Sequence, residues 1–151
     1  MRKLYISVLI LTGFMYANDA KVVYDLTTGD QGKIEKHLIK GLNATSEYYR
    51  DHNRTFKAIV VISGNAYRYF VDDLVHSPYA NEKQTAAVQK SFKTAFAALH
   101  KYGVVFEMCS NGMKKRKISK KMVYHYVQTD KIKNVYLIDA QNDGYAYLPI
   151  H

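Results

Sequence analysis

Cysteine is nearly absent from this chain: Cys109 is the only one in 151 residues. A single cysteine closes no internal disulfide, so it is a free thiol, a mixed disulfide or a link between molecules. Other absences narrow the chemistry. No G-x-G-x-x-G follows the first apolar run, which argues against the phosphate-cradling turn of nicotinamide and flavin enzymes. No G-x-S-x-G elbow is present, which argues against a Ser-His-Asp hydrolase of that type. The six histidines, His37, His52, His76, His100, His125 and His151, do not pair at helical spacing with one another or with Cys109. No metal site and no other cofactor is read from them. Acidic residues are in deficit, with 13 Asp and Glu against 22 Lys and Arg and a net charge of +9. That balance favours solubility or an acidic partner. The 14 tyrosines are scattered rather than arrayed, so no aromatic platform for nucleic acid is read. There is also no internal repeat, no low-complexity linker and no second domain.

What is present begins with a processing signal. Arg2 and Lys3 precede a short apolar run, Leu4–Phe14, and a small residue follows at Ala17. The pattern predicts a secretory signal peptide over residues 1–17, with Ala20 as a second cleavage point. The run is short for a membrane span, and an uncleaved anchor is the alternative reading. The expected product is a periplasmic or secreted domain over residues 18–151, with no membrane attachment after cleavage. An unpaired thiol in an oxidising compartment is exposed to oxidation, which favours a functional role for it.

The rest alternates between strand and helix patterns. KVVYDL (Lys21–Leu26) reads as a first strand, ended by the turn cluster Thr27–Asp30. Ile34, Leu38, Leu42, Thr45 and Tyr49 share one helical face, with Asp30 as cap. KAIVVIS (Lys57–Ser63) is nearly all apolar, as expected of a parallel strand covered on both sides. Tyr67–Val75 reads as a short helix. Asn81 is the expected cap of a long helix to Tyr102, with Val88, Phe92, Ala95, Phe96 and Leu99 on its stripe. Gly103 stops it, and a third strand runs from Val104 to Met108. Met122–Val127 reads as a fourth strand. Asn134–Ile138 has strand composition, yet a helix from Lys131 to Asp143, capped by Asp130 and stopped by Gly144, fits as well. Tyr145–Leu148 reads as a last strand. The alternation predicts an α/β domain with a mostly parallel sheet.

In such sheets, ligands and reactive groups collect at the carboxyl ends of strands. Three ends qualify here: Asp25–Asp30, Ser63–Ala66 and Cys109–Gly112. All are rich in Gly, Ser, Thr, Asn or Asp. Cys109 follows the third strand and precedes Ser110, Asn111 and Gly112, then a block of cations that includes Lys114, Lys115 and Arg116. A helix start and nearby cations both favour thiolate, the reactive form. In that reading Cys109 is a nucleophile and Asn111 and Gly112 supply backbone N–H groups. Lys114 lowers the thiol pKa, and Gly64 and Asn65 line the opposite wall. The alternative is that Cys109 is a small buried hydrophobe, Asn111 a plain cap, Gly64 a turn residue and the lysines a solvated face.

At this point the chain resembles the DsrE/DsrF-like sulfur-relay family, and most of all its small stand-alone members. The resemblance is carried by VVISGNAYRYF (Val60–Phe70), by FEMCSNGM (Phe106–Met113), by Val127 and its turn, and by AQNDGYAYLP (Ala140–Pro149). It implies a three-layer Rossmann-like or flavodoxin-like fold with about five strands. It also implies that Lys131–Asp143 is a helix and that the protein assembles as a homotrimer or homohexamer. By the family's pattern Cys109 matches the cysteine that carries persulfide sulfur. The reading is a thiol-dependent sulfur carrier or sulfurtransferase whose donor and acceptor are unnamed. The alternative is a non-catalytic ligand-binding or structural homo-oligomer of the same fold.

Overall fold

A computed structural model describes residues 19–151; the expected signal peptide, residues 1–17, lies outside them. Five strands form one sheet in the order β4-β3-β2-β1-β5, and every pair is parallel. The strands are β1 (Ala20–Leu26), β2 (Phe56–Ile62), β3 (Val105–Met108), β4 (Val127–Gln128) and β5 (Ala146–Ile150). The chain therefore walks outward from β1 to β4 and then returns to the far side of β1. Val22–Leu26 and Val60–Ile62 are buried on both faces, which is why these two segments read as apolar runs rather than alternating ones.

The first helical run joins α1 (Gln31–Lys33), a π-helical stretch (Ile34–Lys40) and α2 (Gly41–Asp51). Asp30 caps it, accepting from the Lys33 N–H at 2.9 Å, as a short carboxylate at that position should. In the π-helical stretch the Gly41 N–H reaches back to the Lys36 carbonyl. A wider turn brings residues four apart closer to one line, and Ile34, Leu38 and Leu42 all reach the core. The long helix α3 (Lys83–Lys101) buries Phe92, Phe96 and Leu99. Its cap position is Glu82, not Asn81. Glu82 is held by Arg68 at 3.0 Å and by the Thr85 hydroxyl at 2.7 Å, which sets the first turn one residue later.

Three segments depart from the expected elements. Tyr67–Val75 is helical only in its first part: a 3-10 helix covers Ala66–Phe70, and Val71 then forms an antiparallel bridge to Val123. That bridge also explains why Met122–Val127 is no strand. Val123 and Tyr124 face the aromatic core formed by Phe70, Phe96 and Phe106, and only Val127–Gln128 pairs with β3. The helix expected from Lys131 is α5 (Lys133–Asn142), and Asp130 does not cap it. The Asp130 carboxylate instead accepts from the Tyr136 hydroxyl at 2.8 Å. Gly144, at φ +85°, ends the segment, and β5 runs on through Pro149 because it is an edge strand.

The layers are unequal. On one face α1–α2, α3 and the short α4 (Ser110–Lys115) cover the large core, which includes Leu26, Leu38, Val60, Phe96, Phe106 and Met113. On the other, the small core is Val23 and Val61 under Tyr136, Leu137 and Ala140 of α5. Outside that small cluster, Ile132 just before α5, Val135 and Ile138 of α5 and Tyr147 of β5 are exposed.

Candidate thiol site at the carboxyl edge

The ends of β1, β2 and β3 are neighbours in the sheet, so their loops are laced together. Ser63 N–H donates to the Leu26 carbonyl at 2.9 Å, Asn65 N–H to Thr27 at 2.8 Å and Cys109 N–H to Ile62 at 3.1 Å. Gly64 makes the β2 loop possible. Its φ is +59°, and a Cβ there would lie 2.6 Å from the Thr27 carbonyl oxygen. Asn65 is exposed just beyond it, and its carbonyl accepts from Arg68 Nε at 3.1 Å.

Cys109 stands at the cap position of α4 in extended backbone, part-exposed between the two layers. Three backbone N–H groups lie close enough to favour its thiolate: those of Gly112 and Asn111 in α4, and that of Lys133 at the start of α5. None closes a full capping hydrogen bond on Sγ in this geometry; they act as oriented dipoles that tighten on a thiolate. Burial pushes the thiol up, but these N–H groups and the Tyr67 hydroxyl outweigh it, and the thiol lies below its ordinary value. No lysine charge ranks among these leading causes.

Tyr67 is the neighbour that sequence reading passed over. It is buried, and its hydroxyl donates to the Cys109 carbonyl at 2.8 Å while lying against the thiol. That hydroxyl has one proton, so it serves the carbonyl first and the sulfur only in exchange. Burial and the adjacent Cys109 hold the phenol far above its ordinary value, so it stays a donor. The Arg116 guanidinium lies over its ring at 4.7 Å. Gly112 lets Tyr67 in: a Cβ there would sit 1.8 Å from the hydroxyl oxygen.

The remaining expected residues fall around this centre. Ser110 joins the start of α4 to the segment before α5, its N–H donating to the Lys131 carbonyl at 3.0 Å. Lys114 is exposed in the last turn of α4. Gly64 and Asn65 reach the thiol region through the chain that leads to Tyr67. Two carboxylates lie near the carboxyl edge on the α5 side of the sheet. Asp25 and Glu107 flank Val61 in one row across β1, β2 and β3. Burial pushes Glu107 up to about 7, with the Lys131 charge opposing. Asp25 was legible as a polar residue ending an apolar strand. Lys133 carried no signal, since its approach depends on how α5 docks.

Comparison with known proteins agrees with this architecture. A model of the DsrE/DsrF-like family matches residues 21–150. An uncharacterized protein of Aquifex aeolicus (strain VF5) is 26% identical over 149 residues, 99% of this chain. This chain spans 64% of that relative's length. The solved structure of a protein of unknown function from Methanobacterium thermoautotrophicum, MTH1491, superposes with a TM-score of 0.68 at 17% identity. That match covers 87% of this chain and 99% of the other, and it shows a shared fold.

Proposed function

The chain belongs to the DsrE/DsrF-like family, and on that footing we propose that it carries sulfane sulfur as a persulfide on Cys109. The observation that carries the reading is the convergence of three backbone N–H groups from two helix starts on one part-exposed sulfur. Backbone N–H groups and the Tyr67 hydroxyl lead in favouring a thiolate there, and the sulfur stays reachable from solvent. Buried structural cysteines lack both features.

The step balances without an outside oxidant. The Cys109 thiolate attacks the outer sulfur of a persulfide or polysulfide donor. A new S–S bond forms on Cys109, the donor's S–S bond breaks, and its electron pair leaves as thiolate. An acceptor thiolate then attacks the outer sulfur and returns Cys109 to thiolate. Asn111, Gly112 and Lys133 hold negative charge on Sγ before attack and after transfer, and Tyr67 fixes the loop. Incubating the folded protein with inorganic polysulfide should add one sulfur atom to the intact mass, and a thiol reductant should remove it. Cys109→Ser should take up none. A protein whose mass does not change, with the thiol free, contradicts the carrier reading and leaves a ligand-binding or structural role.

Two further parts of the proposal concern setting. We infer a homo-oligomer, supported by the thin α5 layer with Ile132, Val135 and Ile138 exposed. We infer export, supported by the charged, apolar and small-residue order of residues 1–17. The N-terminal residue of protein recovered from a periplasmic fraction tests the second; an intact Met1 contradicts it.

A further inference from the structure

Lys133 meets the thiol site twice. Its backbone N–H, the first of α5, is near enough to Cys109 to favour the thiolate. Its ammonium reaches to Asp25 Oδ2 at 2.8 Å. Asp25 is 2% exposed on β1, and the Tyr147 hydroxyl of β5 donates to the same oxygen at 3.0 Å. Its other oxygen, Oδ1, is buried and has no hydrogen-bond partner among the described residues. This is a poor device for stability. Two charges are largely withdrawn from water and one acceptor is left unserved, and apolar side chains of similar size would do as well or better. What the pair does supply is a fixed position for the start of α5.

We propose that Asp25 is a positioning residue, whose buried carboxylate clamps the Lys133 ammonium and so holds the first N–H of α5 against the sulfur of Cys109. The inference rests on the reading of Cys109 as the sulfur-carrying thiol. The first turn of α5 has no side-chain cap, which leaves its N–H groups available to an anion. The segment before it is tied on both sides. Ser110 N–H holds the Lys131 carbonyl at 3.0 Å, and the Tyr136 hydroxyl accepts from the Asp130 and Lys131 N–H groups at 3.1 and 3.2 Å. These ties set the path of the chain up to residue 131, and the Lys133–Asp25 pair fixes the helix start itself to the carboxyl end of β1. The other charged or titratable groups around the sulfur are Tyr67 from the 3-10 turn and Arg116, which follows α4, over its ring.

The position permits a clean test. Lys133 is the first helical residue, where proline is tolerated. Ile132 before it is already extended, at φ −81° and ψ 155°, as a residue preceding proline should be. Lys133→Pro therefore removes the N–H and the ammonium while keeping α5, whereas Lys133→Ala removes the ammonium alone. The midpoint of Cys109 alkylation against pH is read on both variants, on Asp25→Asn and on the unmodified protein, with circular dichroism as the check on folding. The unmodified protein should have the lowest midpoint. Lys133→Ala and Asp25→Asn should rise together, and Lys133→Pro should lie about half a pH unit or more above them. Equal midpoints for the proline and alanine variants overturn the proposal, as does an Asp25→Asn midpoint equal to that of the unmodified protein. Should Lys133→Pro not fold, the Lys133 amide resonance in a ¹H–¹⁵N spectrum takes its place. It should shift through the thiol midpoint in the unmodified protein and stay still in Cys109→Ser; an amide that ignores the midpoint overturns the proposal. A thiol that never reacts in the folded, unmodified protein instead contradicts the carrier reading on which the proposal stands.

Discussion

Gly112 lacks a side chain because Tyr67 fills the space a Cβ would take. Gly112→Ala should therefore displace a fully buried ring rather than a flexible chain end. We expect a loss of about 1–3 kcal/mol, the usual range for overpacking, read as a lower denaturant midpoint. The Cys109 alkylation midpoint should rise with it, because the Gly112 N–H moves off the sulfur. Tyr67→Ala in the same chain should restore part of the stability, and a second loss that simply adds to the first would contradict the packing account. At this scale the sequence exposed only half of the site. Cys109, Asn111 and Gly112 stand together in the chain, so a thiol followed by helix-start residues was readable. Tyr67 lies 42 positions away from Cys109 and looks like one tyrosine among fourteen. Its role depends on the three-dimensional meeting of two loops. Lys114 drew notice by charge alone, whereas the leading causes at the sulfur are backbone dipoles and burial.

Loops and strands set the next level. Gly64 and Gly144 both have positive φ, but a Cβ at Gly64 would strike the Thr27 carbonyl at 2.6 Å, and one at Gly144 meets nothing within 4 Å. Both alanine variants carry the left-handed backbone penalty of about 1–2 kcal/mol. Only Gly64→Ala adds a collision with backbone, so it should melt well below Gly144→Ala in a thermal scan. Similar melting temperatures would contradict the close approach of the β1 and β2 loops. On β3, Glu107 gives a pH signature. Its carboxyl in the folded chain is pushed up to about 7 by burial, above the ordinary carboxylate range of an unfolded chain. The stabilising share of this group is thus complete below the unfolded value and is lost as pH rises through about 7. Glu107→Gln should be the more stable protein at pH 8, and its advantage should vanish by pH 4. An advantage that does not change with pH contradicts the burial of that carboxyl. Element identity was legible wherever periodicity was strong, as in β1, β2, α3 and the Asp30 cap. It failed at Met122–Val127, where a β-branched and aromatic run serves a core contact and one bridge rather than a ladder. Propensity cannot distinguish those two uses of the same side chains.

Across the whole molecule the asymmetry of the layers governs behaviour. Among the described residues, one face of the sheet carries a deep core, and the other has a single helix with apolar side chains left at the surface. Ile138 is 55% exposed on α5, so Ile138→Glu should leave the fold intact and lower the mass seen by sedimentation if that face joins copies of the chain. A mass unchanged by the substitution contradicts that use of the face. The α/β class followed from the alternation of apolar runs with helical stripes, and the parallel sheet from continuous rather than alternating strands. The thinness of one layer was not visible, because α5 reads as strand or helix until its docking is known. Whether this fold delivers an activated thiol is decided by the rate of Cys109 alkylation against pH, read by intact mass on the folded chain. An activated thiol reacts fast at neutral pH, with a midpoint below the free-cysteine value of about 8.5. A thiol that stays inert until the chain unfolds, or that titrates above that value, would contradict that activation.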